Sequence, residues 1–191
     1  LPQSQSVAAV VPKQQIKLRF EQAENVEKTI DIFKRYDTML WNCKMRYGKT
    51  VTAYELIKRQ GYQKVIVITH RPAVEDGWGT DHDLMFAGTN HLFIDKTNGS
   101  VDYDSAIDAD NDFKLKQTVQ SQTPFVYFAS IQDLRGSQRV GGKYNKNNAV
   151  FDMDWDLLII DEAHEGTSTD LGDAVIKTLR KPGTKVLLLS G

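Results

Sequence analysis

The sequence predicts an α/β fold, a three-layer sandwich built on a mainly parallel sheet, and three observations carry that prediction. Continuous apolar runs at residues 64–69 (KVIVIT), 124–129 (PFVYFA), 155–160 (WDLLII) and 185–189 (KVLLL) have the length and composition of strands buried on both faces. They alternate with amphipathic, charged segments, the order that places helices on both faces of a parallel sheet. Polar clusters follow strands directly at Gly48-Lys49-Thr50, Thr69-His70-Arg71, Ser130-Ile131-Gln132, Asp161-Glu162 and Ser190-Gly191. Parallel strands all end on one edge, so these clusters should share the edge beyond which such sheets bind ligands.

Residues 1–15 (LPQSQSVAAVVPKQQ) are rich in Gln, Ser and Pro without a period, and read as a linker or docked arm. Over 20–36, Phe20, Ala23, Val26, Ile30 and Phe33 recur at helical spacing with charges between them. A short strand at 38–42 should run into a loop and then a helix over 49–60, closed by Gly61 at a C-cap. After the strand at 64–69 the pattern degrades. Residues 74–122 are polar and aspartate-rich, and suggest an insertion with a strand at 91–94 and a helix near 112–120. Within it, Asp108-Ala109-Asp110-Asn111-Asp112 begins like a calcium loop. Phe113 stands where the turn needs Gly and Val119 where a bidentate Glu belongs, so we expect a solvated acidic loop instead. Residues 136–148 (GSQRVGGKYNKNN) read as a basic loop, and 170–180 as a helix broken by Lys181-Pro182-Gly183.

The chain has 191 residues, enough for one domain with a buried core. No apolar run approaches the ~20 residues that span a bilayer, and no signal-peptide pattern opens the chain. The single cysteine, Cys43, excludes an internal disulfide and fits a reducing cytoplasm. A net charge of −1 gives no overall basic field, so contact with nucleic acid would have to be local. The chain begins Leu1-Pro2 and stops at Ser190-Gly191 directly after a strand, which leads us to expect a piece of a longer protein.

The chemistry centres on Cys43-Lys44-Met45-Arg46-Tyr47-Gly48-Lys49-Thr50. A tight loop between strand and helix presents backbone N–H groups, a lysine ammonium and a helix N-terminus to one anion, which suits a polyphosphate. Gly-Lys-Thr alone is weak, since at average residue usage about one chain in ten of this length has a Gly-Lys-[Ser/Thr] by chance. Asp161-Glu162-Ala163-His164 is far stronger, expected in roughly one chain in a thousand. Nucleotide hydrolysis needs a lysine on the β/γ-phosphates, a hydroxyl on Mg²⁺ and a carboxylate at a neighbouring strand end. Lys49, Thr50 and Asp161 supply these, and Glu162 can deprotonate the attacking water. A GTP-type base reader, Asn-Lys-x-Asp, is missing, because Asn145-Lys146-Asn147-Asn148 lacks the aspartate.

Taken in order, these segments resemble superfamily 2 helicases and translocases, the DEAD/DEAH-box group, in their first RecA-like domain. Residues 43–50 match motif I, 69–74 motif Ia, 130–134 motif Ib and 161–164 motif II. Ser190-Gly191 resembles the opening of motif III. The resemblance covers about residues 16–191, and the wording Lys-Met-Arg-Tyr-Gly-Lys-Thr is most similar to motors of restriction-modification systems. Motif I normally opens with Gly or Ala, whereas here it opens with Cys43, which we read as an inert small residue.

The resemblance implies an ATP-binding motor domain with Mg²⁺ as cofactor, and DNA rather than RNA as the polymer. It implies catalytic roles for Lys49 and Glu162, metal contacts from Thr50 and Asp161, and an adenine-reading role for Gln22 in Leu18-Arg19-Phe20-Glu21-Gln22. His164 and Ser190 would couple the nucleotide site to motif III, while Thr69, Arg71 and Ser130 would touch the nucleic-acid backbone. A second RecA-like domain of the same polypeptide would supply arginine fingers, worth ~10³–10⁵ in rate. The competing expectation is a nucleotide-dependent switch or binding module without motor action.

Overall fold

Odd- and even-numbered residues of the central strands point to opposite faces, and each face is covered by its own set of helices. The computed structural model describes residues 15–70, 75–96, 104–163 and 170–191. The elements in chain order are α1 (Phe20–Phe33), β1 (Thr38–Asn42), α2 (Lys49–Gln60), β2 (Lys64–Thr69), α3 (Glu75–Met85), β3 (Leu92–Asp95) and α4 (Ser105–Gln120). After these come β4 (Phe125–Ser130), α5 (Ile131–Arg135), α6 (Asn148–Asp152), β5 (Leu157–Asp161), α7 (Asp170–Leu179) and β6 (Lys185–Ser190). The strands form one six-stranded sheet in the order β1-β6-β5-β2-β4-β3. Every pairing is parallel, so the predicted sheet is not merely mainly but wholly parallel among the described residues.

On one face Val65, Val67, Val126, Phe128, Leu157, Ile159, Leu187 and Leu189 pack against α1, α2 and α3. On the other, Ile66, Ile68, Tyr127, Leu158, Ile160 and Val186 pack against α4, α5, α6 and α7. That is the three-layer sandwich, with strands apolar on both sides because both sides are covered.

The sheet register supports the shared edge. Thr69 at the end of β2 lies level with Ser130 of β4 and with Asp161 of β5, and Asn42 of β1 lies level with Ser190 of β6. Four of the five polar clusters therefore begin at or beside one line across the sheet, and the fifth follows Asn42 through the loop.

Several local expectations change. The buried stripe of α1 is Gln22, Val26, Thr29 and Phe33, while Phe20 is 83% exposed. Phe20 lies two residues, about 200°, from Gln22 around the helix, so it faces away from the sheet. Thr29 is buried because its hydroxyl donates to the Asn25 carbonyl at 2.7 Å and accepts from the Trp41 indole at 2.8 Å. The α3 helix had no clear sequence signal, yet it buries Trp78 and Met85, with Phe86 just beyond its end, against α2. The acidic stretch 108–112 is helical, not a solvated loop. Asp104 caps α4 by accepting from the backbone N–H groups of Ala106 and Ile107 at 2.9 and 3.1 Å, and Asp108 is buried against Lys96 at 2.6 Å. The basic loop is also less basic outwardly than it reads, because Lys146 turns inward to Asp133 at 2.9 Å. Arg71, His164 and residues 1–14 of the expected arm lie outside the described residues.

Candidate nucleotide site

The loop between β1 and α2 keeps its shape through α1, the preceding helix. Arg46 and Gly48 adopt left-handed backbone conformations, φ 62° and 79°, the kind of curl that gathers backbone N–H groups into an anion-binding concavity. A Cβ on Gly48 would lie 2.6 Å from Gln22 Nε2, so glycine is required by both space and conformation. The Gln22 carboxamide is engaged at both ends: Nε2 donates to the Tyr47 carbonyl at 2.7 Å and Oε1 accepts from the Arg19 N–H at 2.8 Å. Arg19 adds guanidinium donation to the carbonyls of Arg46, at 3.2 Å, and Tyr47. On the other side of the loop, Thr52 of α2 returns both its N–H, at 3.1 Å, and its hydroxyl, at 2.7 Å, to the Gly48 carbonyl.

Lys49 opens α2, and its ammonium bridges two carboxylates, 2.7 Å from Asp161 Oδ1 and 2.8 Å from Glu162 Oε1. Burial by itself would lower the Lys49 pKa. The hydrogen bonds and charges of Asp161 and Glu162 outweigh it and hold the group above the usual lysine value. Asp161 ends β5 with its side chain only 3% exposed. Its Oδ1 accepts the Glu162 N–H at 3.0 Å, and its Oδ2 accepts the Trp78 indole N–H at 2.9 Å. Glu162 is itself left-handed, φ 56°, a conformation that costs a non-glycine residue ~1–3 kcal/mol. It turns the chain sharply off the strand end while the Glu162 carboxylate meets Lys49.

Motif residues from the far end of the chain close onto this loop. The Cys43 N–H donates to the Ser190 carbonyl at 2.7 Å. Gly191, φ 135°, approaches the Cys43 carbonyl so closely that any Cβ would collide with it. Burial pushes the Cys43 thiol up, Lys49 pulls it down and Asp161 pushes it further up. The net effect is a rise, which disfavours the thiolate.

The predicted residues therefore separate into groups. Gln22, Tyr47, Gly48, Lys49, Asp161 and Glu162 converge, and Cys43 and Ser190 buttress them. Thr50 follows Lys49 in the first turn of α2. Lys44, Met45 and Arg46 stand on the exposed crest of the loop, Met45 90% exposed. Thr69 and Ser130 sit side by side at the sheet edge but are buried, and the Ser130 hydroxyl caps α5 by accepting from the Asp133 N–H at 3.2 Å. Arg19 and Trp78 were not anticipated. A lone tryptophan among Gly and acidic residues carries no pattern, and the reach of Arg19 depends on how α1 lies against the loop.

The donor set suits a nucleotide with its metal: a curled loop after β1, an ammonium, a hydroxyl in the first helical turn and a carboxylate at the end of β5. That strand is not the neighbouring one expected but one strand further, with β6 between. The one positive charge on Lys49 is shared by two carboxylates and neutralises one of them, which leaves the cluster net negative and suited to a phosphate-bound cation.

Known proteins resemble this chain in sequence and in fold. The family model described as type III restriction enzyme, res subunit (ResIII), matches residues 15–190. A curated protein of Mycoplasma pneumoniae, named putative type II restriction enzyme and methyltransferase RM.MpnORF110P C-terminus, is 31% identical over 162 residues, which is 78% of this chain. This chain spans only 20% of that relative's length. Among solved structures, the Sulfolobus solfataricus SWI2/SNF2 ATPase core in complex with dsDNA aligns with a TM-score of 0.62 at 14% identity, over 96% of this chain and 34% of that one. The UvsW helicase from bacteriophage T4 gives 0.57 at 15% identity, over 92% and 53%. A nuclease-deletion mutant of the Type ISP restriction-modification enzyme LlaGI, bound to a DNA substrate mimic, gives 0.56 at 17% identity, over 92% and 17%. At these identities the structures share the fold, which is the RecA-like fold expected from the motifs.

Proposed function

The chain belongs to the type III restriction enzyme res subunit family, and from that premise we propose that it is the first motor domain of an ATP-dependent DNA helicase or translocase in a restriction-modification type system. The observation that carries this reading is the meeting of Lys49, Asp161 and Glu162 within 2.8 Å at the carboxyl edge of the sheet, directly behind the curled loop. In the proposed site the loop and Lys49 hold the β- and γ-phosphates of ATP. Thr50 and Asp161 hold Mg²⁺, which when bound neutralises phosphate charge. Glu162 orients and deprotonates the attacking water once phosphate draws Lys49 away from it. Gln22 fixes the loop while facing the base region, and Ser190, with His164, relays the state of the site to the rest of the motor.

The nucleic-acid partner is proposed to be DNA, the polymer named for two of the structural relatives. The side chains of Thr69 and Ser130 are buried, so contacts there would come from main-chain N–H groups and from Arg71. We also propose that 1–15 is a linker or arm, that 74–122 elaborates the motor domain, and that a second RecA-like domain completes the ATP site with arginine fingers. Among the described residues no helix is long and apolar enough to cross a membrane, and we propose a cytoplasmic location.

The test is DNA-stimulated ATP hydrolysis by the full-length protein and by its Lys49→Ala and Glu162→Gln variants. Stimulated turnover that both variants lose supports the motor. Nucleotide binding without stimulated turnover by the full-length protein would replace the motor with a nucleotide-dependent switch.

A further inference from the structure

The chain has three tryptophans, and each indole N–H has a buried acceptor. Trp41 donates to the Thr29 hydroxyl at 2.8 Å and Trp155 to the Val150 carbonyl at 2.9 Å, both neutral groups within their own structural neighbourhood. Trp78 instead donates to a carboxylate 83 residues away, Oδ2 of Asp161, at 2.9 Å. That carboxylate is the one that meets the metal in the proposed site. We propose that Trp78 is a positioning residue of the nucleotide site, which fixes the Asp161 carboxylate so that one defined oxygen faces the bound cation.

The geometry divides the work of the two oxygens. Oδ2 is committed to the indole, while Oδ1 receives the Glu162 N–H and lies 2.7 Å from the Lys49 ammonium. Rotation of the carboxylate would break the indole bond and leave Oδ2 buried without a donor, a cost of ~1–3 kcal/mol or more for a charged group. Oδ1, the oxygen on the Lys49 side, is thereby held toward the loop. A carboxylate that ligates a metal is commonly oriented by such an outer hydrogen bond, and its loss typically costs ~10–100-fold in metal affinity or activity.

Trp78 is itself held in place. It is 2% exposed, the Tyr54 hydroxyl donates to its carbonyl at 2.7 Å, and the two rings meet edge to face at 5.5 Å. Tyr54 belongs to α2, the helix that Lys49 opens. Asp161 is thus clamped to the phosphate-loop helix through α3, so the two halves of the site are connected by a rigid path apart from their own ion pair.

This inference rests on the nucleotide-site reading, and the experiment separates the two. Nucleotide binding to the 191-residue chain is measured with ADP in EDTA and in Mg²⁺, and Mn²⁺ binding to the ADP complex is measured by electron paramagnetic resonance. Trp78→Phe keeps an aromatic ring but removes the donor. We expect its metal-free ADP affinity to stay within about twofold of wild type, with Mn²⁺ affinity lower by ~10-fold. In ¹⁵N-indole spectra of the unmodified chain, the Trp78 resonance should shift with Mg²⁺-ADP and not with ADP in EDTA, while Trp41 and Trp155 stay still. No binding of ADP by wild type in either buffer overturns the nucleotide reading itself. Wild-type Mn²⁺ affinity in a folded Trp78→Phe variant overturns the role of Trp78 alone. If that variant does not fold, the indole spectra decide: a Trp78 resonance unmoved by metal overturns the proposal and a selective shift supports it.

Discussion

Gln22 holds the carbonyl of Tyr47 at 2.7 Å, so the residue expected to face the adenine is also a brace of the phosphate loop. Its other end is tied to the Arg19 N–H. Gln22→Ala should therefore loosen the loop and cost ~1–3 kcal/mol of stability from the broken buried hydrogen bonds. Gln22→Glu should be worse, because a carboxylate oxygen would face the Tyr47 carbonyl. Chemical denaturation of the three proteins checks the ranking, and an alanine variant as stable as wild type contradicts the brace.

Lys49→Ala removes the cation between Asp161 and Glu162. Because the folded-state pKa of Lys49 lies above its ordinary 10.5, its stabilising contribution is fully present below that value and is lost as pH rises through the folded pKa. Wild type should thus be more stable than Lys49→Ala at neutral pH, with the gap closing in strong alkali. Mg²⁺ without nucleotide should stabilise Lys49→Ala more than wild type, since the variant leaves two carboxylates unneutralised. Thermal melts with and without Mg²⁺ measure both effects.

Glu162→Gln should leave nucleotide binding in place and lower the ATPase rate of the full-length protein by ~10²–10⁴-fold, the usual worth of a positioned base. The 191-residue chain by itself should bind ATP weakly and turn it over very slowly, because arginine fingers are expected from elsewhere. Brisk DNA-stimulated turnover by the chain alone would contradict this.

A pair of histidines sets an acid-side limit on stability. His82 Nε2 and His91 Nδ1 share a hydrogen bond of 2.8 Å, His91 stacks on Phe86 at 3.8 Å between ring centroids, and Tyr54 meets His82 edge to face. Burial, with the neighbouring His82 charge adding to it, pushes His91 from 6.5 down to about 4. Burial lowers His82 as well, with Asp83 opposing. The unfolded chain then binds more protons than the folded one between about 6.5 and 4, so stability should fall as pH falls through that window and level off below it. His91→Asn should flatten the slope in a series of urea midpoints against pH.

Asp133 acts lower on the scale. Burial would raise it, but Lys96 at 3.4 Å and Lys146 at 2.9 Å hold it below its ordinary 3.8. Its contribution is present above that value and is lost as pH falls through the depressed folded pKa. Asp133→Asn should cost roughly 1.5–3 kcal/mol at pH 7, the worth of hydrogen bonds to charged groups, and the deficit should shrink in strong acid. A constant deficit across pH would contradict the ion-pair origin.

Much of the architecture is legible in the residues themselves. The apolar runs 64–69, 124–129, 155–160 and 185–189 identify strands because a strand covered on both faces must be apolar throughout. The Gly48-Lys49-Thr50 and Asp161-Glu162 clusters mark a candidate site because both follow strands of one parallel sheet, and the structure brings Lys49 onto Asp161 and Glu162. Where legibility fails, the cause is local ambiguity. Residues 75–85 form α3 although glycines and acidic residues interrupt their pattern, since Trp78 and Met85, together with Phe86 that follows, find partners on α2. Asp108 and Lys146 read as solvated charges, yet each is buried with an opposite charge brought from elsewhere in the chain.

The sequence by itself determined the parallel α/β architecture, the shared strand edge and the identity of Lys49, Asp161 and Glu162, because periodicity and residue chemistry are local properties of a chain. Only the tertiary structure decided which groups stand behind them. The Gln22 brace, the Cys43–Ser190 contact and the indole of Trp78 on Asp161 join residues 25, 147 and 83 positions apart. Hydrogen bonds over such separations depend on how helices and strands settle against one another, and no spacing within the sequence encodes that.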